Sequence, residues 1–152
     1  MHNILLVEDN PADVCLFEEY LLDAEATTYN VCSTDSLEKA WYLKHVLWPD
    51  VVVVDLSLPD TYGEETLVSA TEYFKDKPIV VLTGSDDLAL AKKAVAVGIQ
   101  NFLVKNEMNS HLLDRTIQCA IERFQLAQRD KMQQRSLLLH NEQLRWAISH
   151  RY

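Results

Sequence analysis

The chain has 152 residues, of which 48% are hydrophobic and 24% charged, and its net charge at pH 7 is −9. These values are typical of one folded domain, exclude an intrinsically disordered chain and, through the negative charge, argue against binding to nucleic acid. Because no apolar run approaches the roughly 18 residues of a membrane-spanning helix and no basic segment opens the chain, we expect a cytoplasmic protein without membrane contact.

The first part of the chain alternates apolar strands with helices. Residues 3–8 are predicted as a strand that ends in the carboxylates of Glu8 and Asp9. Asn10 is a suitable N-cap for the helix that follows, because its side chain can accept a hydrogen bond from the first turn. A second strand is predicted at residues 29–33, and a second helix follows it, with an apolar stripe made of Leu37, Ala40, Trp41 and Leu47.

Four consecutive valines at residues 51–54 are the clearest strand signal. A strand without polar alternation is buried on both faces, as in a parallel sheet covered by helices. Asp55 follows at its carboxyl end, where open α/β sheets bind ligands. Two further strands are predicted at residues 79–83 and 100–104, and Lys105 follows the last one. The alternation predicts a doubly wound, five-stranded parallel sheet of the flavodoxin-like type.

The later helices have recognisable ends. Gly63 is predicted to open the third helix, Asp86 to cap the fourth and Gly98 to end it. The last helix is predicted to begin near Asn109 or Ser110. We therefore expect a helix after each of the five strands.

Parallel strands would bring five polar side chains to one edge of the sheet. Three are carboxylates, one is a hydroxyl and one is an ammonium: Glu8, Asp9, Asp55, Thr83 and Lys105. Taken singly, each has an ordinary structural explanation, as a helix-end charge, a strand residue or a surface lysine. Together, the carboxylates would repel one another without a cation, and their oxygens suit Mg²⁺. Asp55 would then be a nucleophile that forms an acyl phosphate.

At these positions the chain resembles the receiver domain of two-component response regulators. The matching motifs are Val-Glu-Asp-Asn-Pro at residues 7–11, Val-Val-Val-Asp-Leu-Ser-Leu-Pro at residues 52–59, Thr83, and Phe-Leu-Val-Lys at residues 102–105. Each motif is weak alone, but the four in this order and spacing are specific. They extend over about the first 120 residues.

The resemblance implies that Asp55 accepts a phosphoryl group from a histidine kinase or a histidine phosphotransfer protein. It also implies that Mg²⁺ or Mn²⁺ is held by Glu8, Asp9, Asp55 and the backbone carbonyl of Ser57. Such a domain is a signalling module that controls a partner or an output domain. It is not an enzyme, although it takes part in its own phosphorylation and dephosphorylation.

Three further residues would transmit the signal, by the same resemblance. Thr83 and Lys105 would bind the phosphoryl group, and Thr83 would move with the switch aromatic, Phe102. Two residues depart from the family pattern: Gly84 stands where alanine is usual, and Asn106 stands where the family commonly has a proline with a cis bond. These departures affect loops that would carry the switch.

Three other classes of protein could share part of this pattern. A flavodoxin-like cofactor binder needs a glycine-rich phosphate loop after its first strand, whereas this chain has an acidic segment there. A haloacid-dehalogenase-type phosphatase would be expected to have an aspartate two residues after Asp55, where Ser57 stands. A degenerate receiver, acting as an interaction module without phosphorylation, remains the alternative.

The carboxyl-terminal segment is the second informative feature. From residue 110 to residue 150 the chain has no Gly or Pro, which predicts one long helix. We divide the chain into a receiver domain at 1–125 and a helical extension at 126–152. Met132, Leu139 and Trp146 are spaced by seven, which favours a homodimer through this helix over a helix that folds back. We also expect a fragment, with the helix connecting to a missing output domain.

Overall fold

The computed structural model describes residues 1–24, 28–61, 63–84, 88–97, 99 and 101–150. Strands and helices alternate along the chain, and a short 3-10 helix precedes the last helix. In chain order they are β1 (His2–Val7), α1 (Pro11–Leu22), β2 (Tyr29–Thr34), α2 (Leu37–Leu47), β3 (Val51–Asp55), α3 (Glu64–Tyr73), β4 (Ile79–Thr83), α4 (Leu88–Ala96), β5 (Asn101–Val104), the 3-10 helix (Lys105–Glu107) and α5 (Ser110–Ser149).

Across the described residues, the five strands form one all-parallel sheet in the order β2-β1-β3-β4-β5. This confirms the predicted doubly wound architecture. The chain leaves β1 toward β2 on one side and returns to β3 on the other, so the strand order reverses between β1 and β3. In such sheets the crevice at the reversal is where ligands bind. Val7 is paired with Val54 there, which brings the ends of β1 and β3 side by side.

The four valines of β3 are fully buried and alternate between two cores, one on each face of the sheet. Val52 and Val54 pack with α2, α3 and α4, and Val51 and Val53 pack with α1 and the first part of α5. The absence of polar alternation in β3 is thus explained, because both faces of the sheet are covered by helices. Burial on both sides also fixes the position of Asp55 at the end of the strand.

Helix ends follow the predicted chemistry where the structure describes them. The Asn10 side chain accepts a hydrogen bond from the Ala12 backbone N–H at 3.0 Å at the start of α1. Asn109 accepts one from the Leu112 N–H at 2.9 Å, and α5 begins at the next residue. Gly63, predicted to open the third helix, is the N-cap of α3 with a positive φ of 62°. The predicted caps Asp86 and Gly98 lie outside the described residues.

The chain divides into two compact units, residues 1–121 and residues 122–152. In the first unit, α5 contributes four buried side chains, those of Leu113, Ile117, Ala120 and Ile121. In the second unit, every described side chain from residue 131 onward is exposed. Within the described part of the chain, no helix combines the length and the apolar character that crossing a membrane requires.

Candidate functional site

The site lies where the carboxyl ends of four strands meet. Glu8 follows β1, Asp55 ends β3, Thr83 ends β4 and Lys105 follows β5. The strand register explains the meeting, because Asp55 is opposite Leu82 and Thr83 is opposite Val104 in neighbouring strands. The structure thus brings together side chains from distant parts of the sequence.

Lys105 is at the centre of this group. Its ammonium nitrogen lies 2.9 Å from Glu8 Oε2, 3.0 Å from Asp55 Oδ2 and 3.0 Å from Asp13 Oδ2. Burial lowers the pKa of this ammonium, but its contacts with the carboxylates of Glu8, Asp55 and Asp13 raise the pKa above its ordinary value. Lys105 therefore carries its positive charge at neutral pH.

Glu8 is a buried carboxylate, with 3% of its surface exposed. Its pKa is raised to about 7: burial and the nearby carboxylate of Asp55 raise it, and the ammonium of Lys105 acts in the opposite direction. Its Oε1 accepts a hydrogen bond from the Asn10 N–H at 3.2 Å. Its Oε2 is ion-paired with Lys105 but has no aligned hydrogen bond among the described residues. Such an oxygen is suited to a cation ligand.

Glu8, Asp9 and Asp55 form a group that could hold a metal ion. Each offers one oxygen, and these oxygens lie within 4.8 Å of one another. Asp9 is exposed, while Glu8 and Asp55 are buried, so the group opens to solvent on one side. Ser57 lies in the turn after β3, and its N–H donates to Asp55 Oδ1 at 3.1 Å. Carboxylate oxygens at this spacing fit a hard divalent cation.

Thr83 and Phe102, the predicted switch residues, differ in their surroundings. Thr83 is buried, and its hydroxyl donates to the carbonyl of Gly84 at 3.2 Å. The side chain of Phe102 on β5 is 38% exposed. Phe102 is therefore not a core aromatic in this structure.

Residues 4–117 match the response regulator receiver domain family. The match covers more than half of the chain and all five strands apart from the first two residues of β1. The chain belongs to this family. The receiver domain, a signalling module of two-component systems, is thus what the motifs at the strand ends predicted.

Curated relatives of this receiver domain are longer regulatory proteins. The C4-dicarboxylate transport transcriptional regulatory protein DctD of Pseudomonas aeruginosa is 28% identical over 149 residues, which are 98% of this chain and 29% of DctD. The regulatory protein LuxO of Vibrio vulnificus is 31% identical over 102 residues, 66% of this chain and 21% of LuxO. The chain therefore spans less than a third of either relative.

Solved structures share the fold. The signal receiver domain of a modulated diguanylate cyclase from Desulfovibrio desulfuricans has a TM-score of 0.69 and 26% identity, covering 84% of this chain and 98% of that one. The chemotaxis response regulator CheY4 of Vibrio cholerae has a TM-score of 0.64 and 25% identity, covering 79% and 98%.

The two departures from the receiver pattern are accommodated locally. A Cβ added at Gly84 would meet no atom within 4 Å among the described residues, so the space there would accept an alanine. Asn106 lies within the 3-10 helix, and no described peptide bond is cis. Lys105 reaches the site from the start of this 3-10 helix.

Asp13 is the site residue that was not predicted. The sequence indicates only a favourable acidic residue in the first turn of α1. Asp9 precedes the Asn10 N-cap and lies outside α1, so no helical spacing relates it to Asp13 and the sequence offers no further signal. The structure adds what spacing cannot show, namely the contact of Asp13 with Lys105.

Proposed function

We propose that this receiver domain accepts a phosphoryl group on Asp55 from a phosphohistidine of a histidine kinase or a histidine phosphotransfer protein. An oxygen of Asp55 would form the new bond to phosphorus while the phosphorus–nitrogen bond breaks and the imidazole leaves with the electron pair. The observation that carries the proposal is a buried carboxylate at the strand-order reversal, 3.0 Å from an ammonium and beside two other carboxylates.

We assign the acidic group to a divalent cation, Mg²⁺ or Mn²⁺. Glu8, Asp9 and Asp55 would hold it, together with the backbone carbonyl of Ser57. When bound, the cation supplies positive charge that offsets the phosphoryl oxygens. Two observations support this assignment: the three carboxylates offer oxygens within 4.8 Å of one another, and Glu8 has a buried oxygen without an aligned hydrogen bond among the described residues.

Thr83 and Lys105 are proposed to bind the phosphoryl oxygens, and Thr83 and Phe102 to form the switch. Moving a two-state equilibrium from 1:99 to 99:1 takes about 5.5 kcal/mol. Two charge-assisted hydrogen bonds contribute roughly 1.5 to 3 kcal/mol each. The Thr83 hydroxyl would exchange the Gly84 carbonyl for the phosphoryl group, and the exposed ring of Phe102 would move into the vacated space.

The decisive experiment measures intact mass after incubation with acetyl phosphate and Mg²⁺. We expect one phosphoryl group on the wild type, none on Asp55→Asn and none when a chelator removes the metal. A wild type that gains no mass would contradict the proposal and favour the degenerate receiver that acts through protein interaction alone.

We further propose that residues 1–125 act as the receiver and residues 126–152 as a dimerising or connecting helix. Met132, Leu139 and Trp146 are exposed at seven-residue spacing, which supports pairing with a second copy. The relatives are longer regulatory proteins, which supports a connection to an output domain. We place this function in the cytoplasm. Sedimentation should give a dimer for the full chain and a monomer for residues 1–128. A monomer in both cases would contradict the dimer.

A further inference from the structure

Three hydrogens are available on the Lys105 ammonium, and three carboxylates surround it. Two of them, Glu8 and Asp55, also belong to the acidic group that fits a divalent cation. Asp13 is the remaining carboxylate partner among the described residues, and it stands outside that group. The three partners of Lys105 therefore fall into two kinds.

The two kinds respond differently to a cation. A divalent ion held by Glu8 and Asp55 offsets their charge and repels the ammonium. The attraction of Lys105 to Glu8 would then weaken, while Asp13 keeps its full negative charge. Lys105 would retain a fixed partner at the moment when it must face the phosphoryl group.

Asp13 is well placed to provide this support because α1 holds it firmly. It lies in the first turn, three residues after the Asn10 cap, where the helix dipole favours a negative charge. One turn further on, Phe17 anchors the helix in the core. The Asp13 side chain is 38% exposed, so one side of the carboxylate faces water while the other accepts the hydrogen bond of Lys105.

We propose that Asp13 is a positioning residue for phosphoryl transfer, which holds the Lys105 ammonium at the phosphoryl-binding position when the acidic group is occupied by a cation. This inference rests on the proposed function. Asp13 itself touches neither the phosphoryl group nor the cation. It acts through Lys105, whose charge offsets the negative charge on the transferring group as the bond to Asp55 forms.

The test is a double-mutant cycle on the phosphorylation rate with acetyl phosphate at saturating Mg²⁺. In this reaction Asp55 bonds to phosphorus and acetate leaves with the electrons of the broken phosphorus–oxygen bond. We expect Asp13→Asn to lower the rate about threefold to tenfold, and Asp13→Glu to restore part of it. In a Lys105→Met background, Asp13→Asn should have no further effect, because the residue through which it acts is gone.

A matched control separates the contact from the net charge. Glu19→Gln removes one negative charge from an exposed position of the same helix, and the rate should stay within about twofold of wild type. Asp13→Ser is a second variant, to be used should Asp13→Asn fold poorly, since serine is also tolerated in the first turn of a helix.

A readout that does not depend on activity is the NMR signal of the Lys105 ammonium, assigned by its loss in Lys105→Met. With Mg²⁺ present, the wild type should show slowed hydrogen exchange at this group, and Asp13→Asn should lose that protection. A merely structural Asp13 would alter the melting temperature without changing this signal.

The outcomes are separable. A wild type that is not phosphorylated overturns the proposed function. A phosphorylated wild type with Asp13→Asn equally fast, or faster, overturns the positioning role alone. An equal loss in the wild-type and Lys105→Met backgrounds also overturns it, because the effect would then not pass through Lys105.

Discussion

Two regions of this protein reverse the usual placement of side chains. At the carboxyl edge of the sheet, Glu8 and Asp55 are each only 3% exposed. On α5 from residue 131 to residue 149, leucines, a tryptophan and an isoleucine are exposed to solvent. In the first region, charged groups are buried because they offset one another and can take a cation. In the second, apolar groups have no such compensation within the described chain, which is typical of an interaction surface.

The largest expected effect compares two leucines of the same helix, α5. Leu113 is 0% exposed and Leu138 is 63% exposed. Leu113→Ala should lower the free energy of unfolding by about 3 kcal/mol, because it leaves a cavity in the core. Leu138→Ala should change it by less than about 0.5 kcal/mol in urea unfolding at low protein concentration. An equal cost for the two would show that Leu138 is covered.

Addition of Mg²⁺ has the next largest expected effect on stability. Mg²⁺ at a hundredfold excess over its dissociation constant should stabilise the folded protein by about 2.7 kcal/mol, since it binds the folded state. Glu8→Gln should lose most of this gain, because an amide offers the ion no charge. Melting temperatures with and without Mg²⁺ measure it. A full metal effect in Glu8→Gln would remove Glu8 from the site.

Lys105→Met tests the compensation of charge in metal-free buffer. Without the ammonium, Glu8 and Asp55 would be buried side by side, at an expected cost of about 2 kcal/mol in urea unfolding, below that of a fully buried pair because Lys105 is partly exposed. Protonation of Glu8 limits this cost.

Lys93→Met is the matched control for that substitution. Lys93 pairs with Glu64 at 3.2 Å, and both side chains are exposed, so the expected loss is below about 0.5 kcal/mol. Equal losses for Lys105→Met and Lys93→Met would mean that the buried carboxylates at the sheet edge do not depend on Lys105.

An effect smaller than that of Lys105→Met is expected in the loop that follows Asp55. The Asp60 carboxylate accepts the N–H groups of Leu37 and Glu38 at 3.5 and 3.4 Å, beside the first turn of α2. Because these bonds are long and mostly exposed, Asp60→Ala should cost only about 0.5 kcal/mol in thermal unfolding. A cost as large as that of Lys105→Met would extend the sensitive region of the site to this loop.

The solvent exposure of two aromatic side chains was wrongly predicted or not predicted, because it depends on which neighbouring helices or strands cover them. Trp41, assigned to the buried stripe of α2, is exposed, since Ala40 faces the core and the next position turns about 100° away. Phe102 follows a strand pattern that allows either face, and only the structure shows its ring at the surface. Helix propensity and strand patterns contain no information about such coverage.

The sequence by itself determined the parallel sheet, the residues at the strand ends and the family, because these follow from local patterns: valine runs, caps and the spacing of strands. Only the tertiary structure decided the raised pKa of Glu8 and the contact of Lys105 with Asp13, 92 residues away in the sequence. Both depend on burial and on distances between separate elements. A sequence pattern specifies which residues end a strand, but the packing of α1 on the sheet and the pairing of β5 with β4 decide which of their side chains meet.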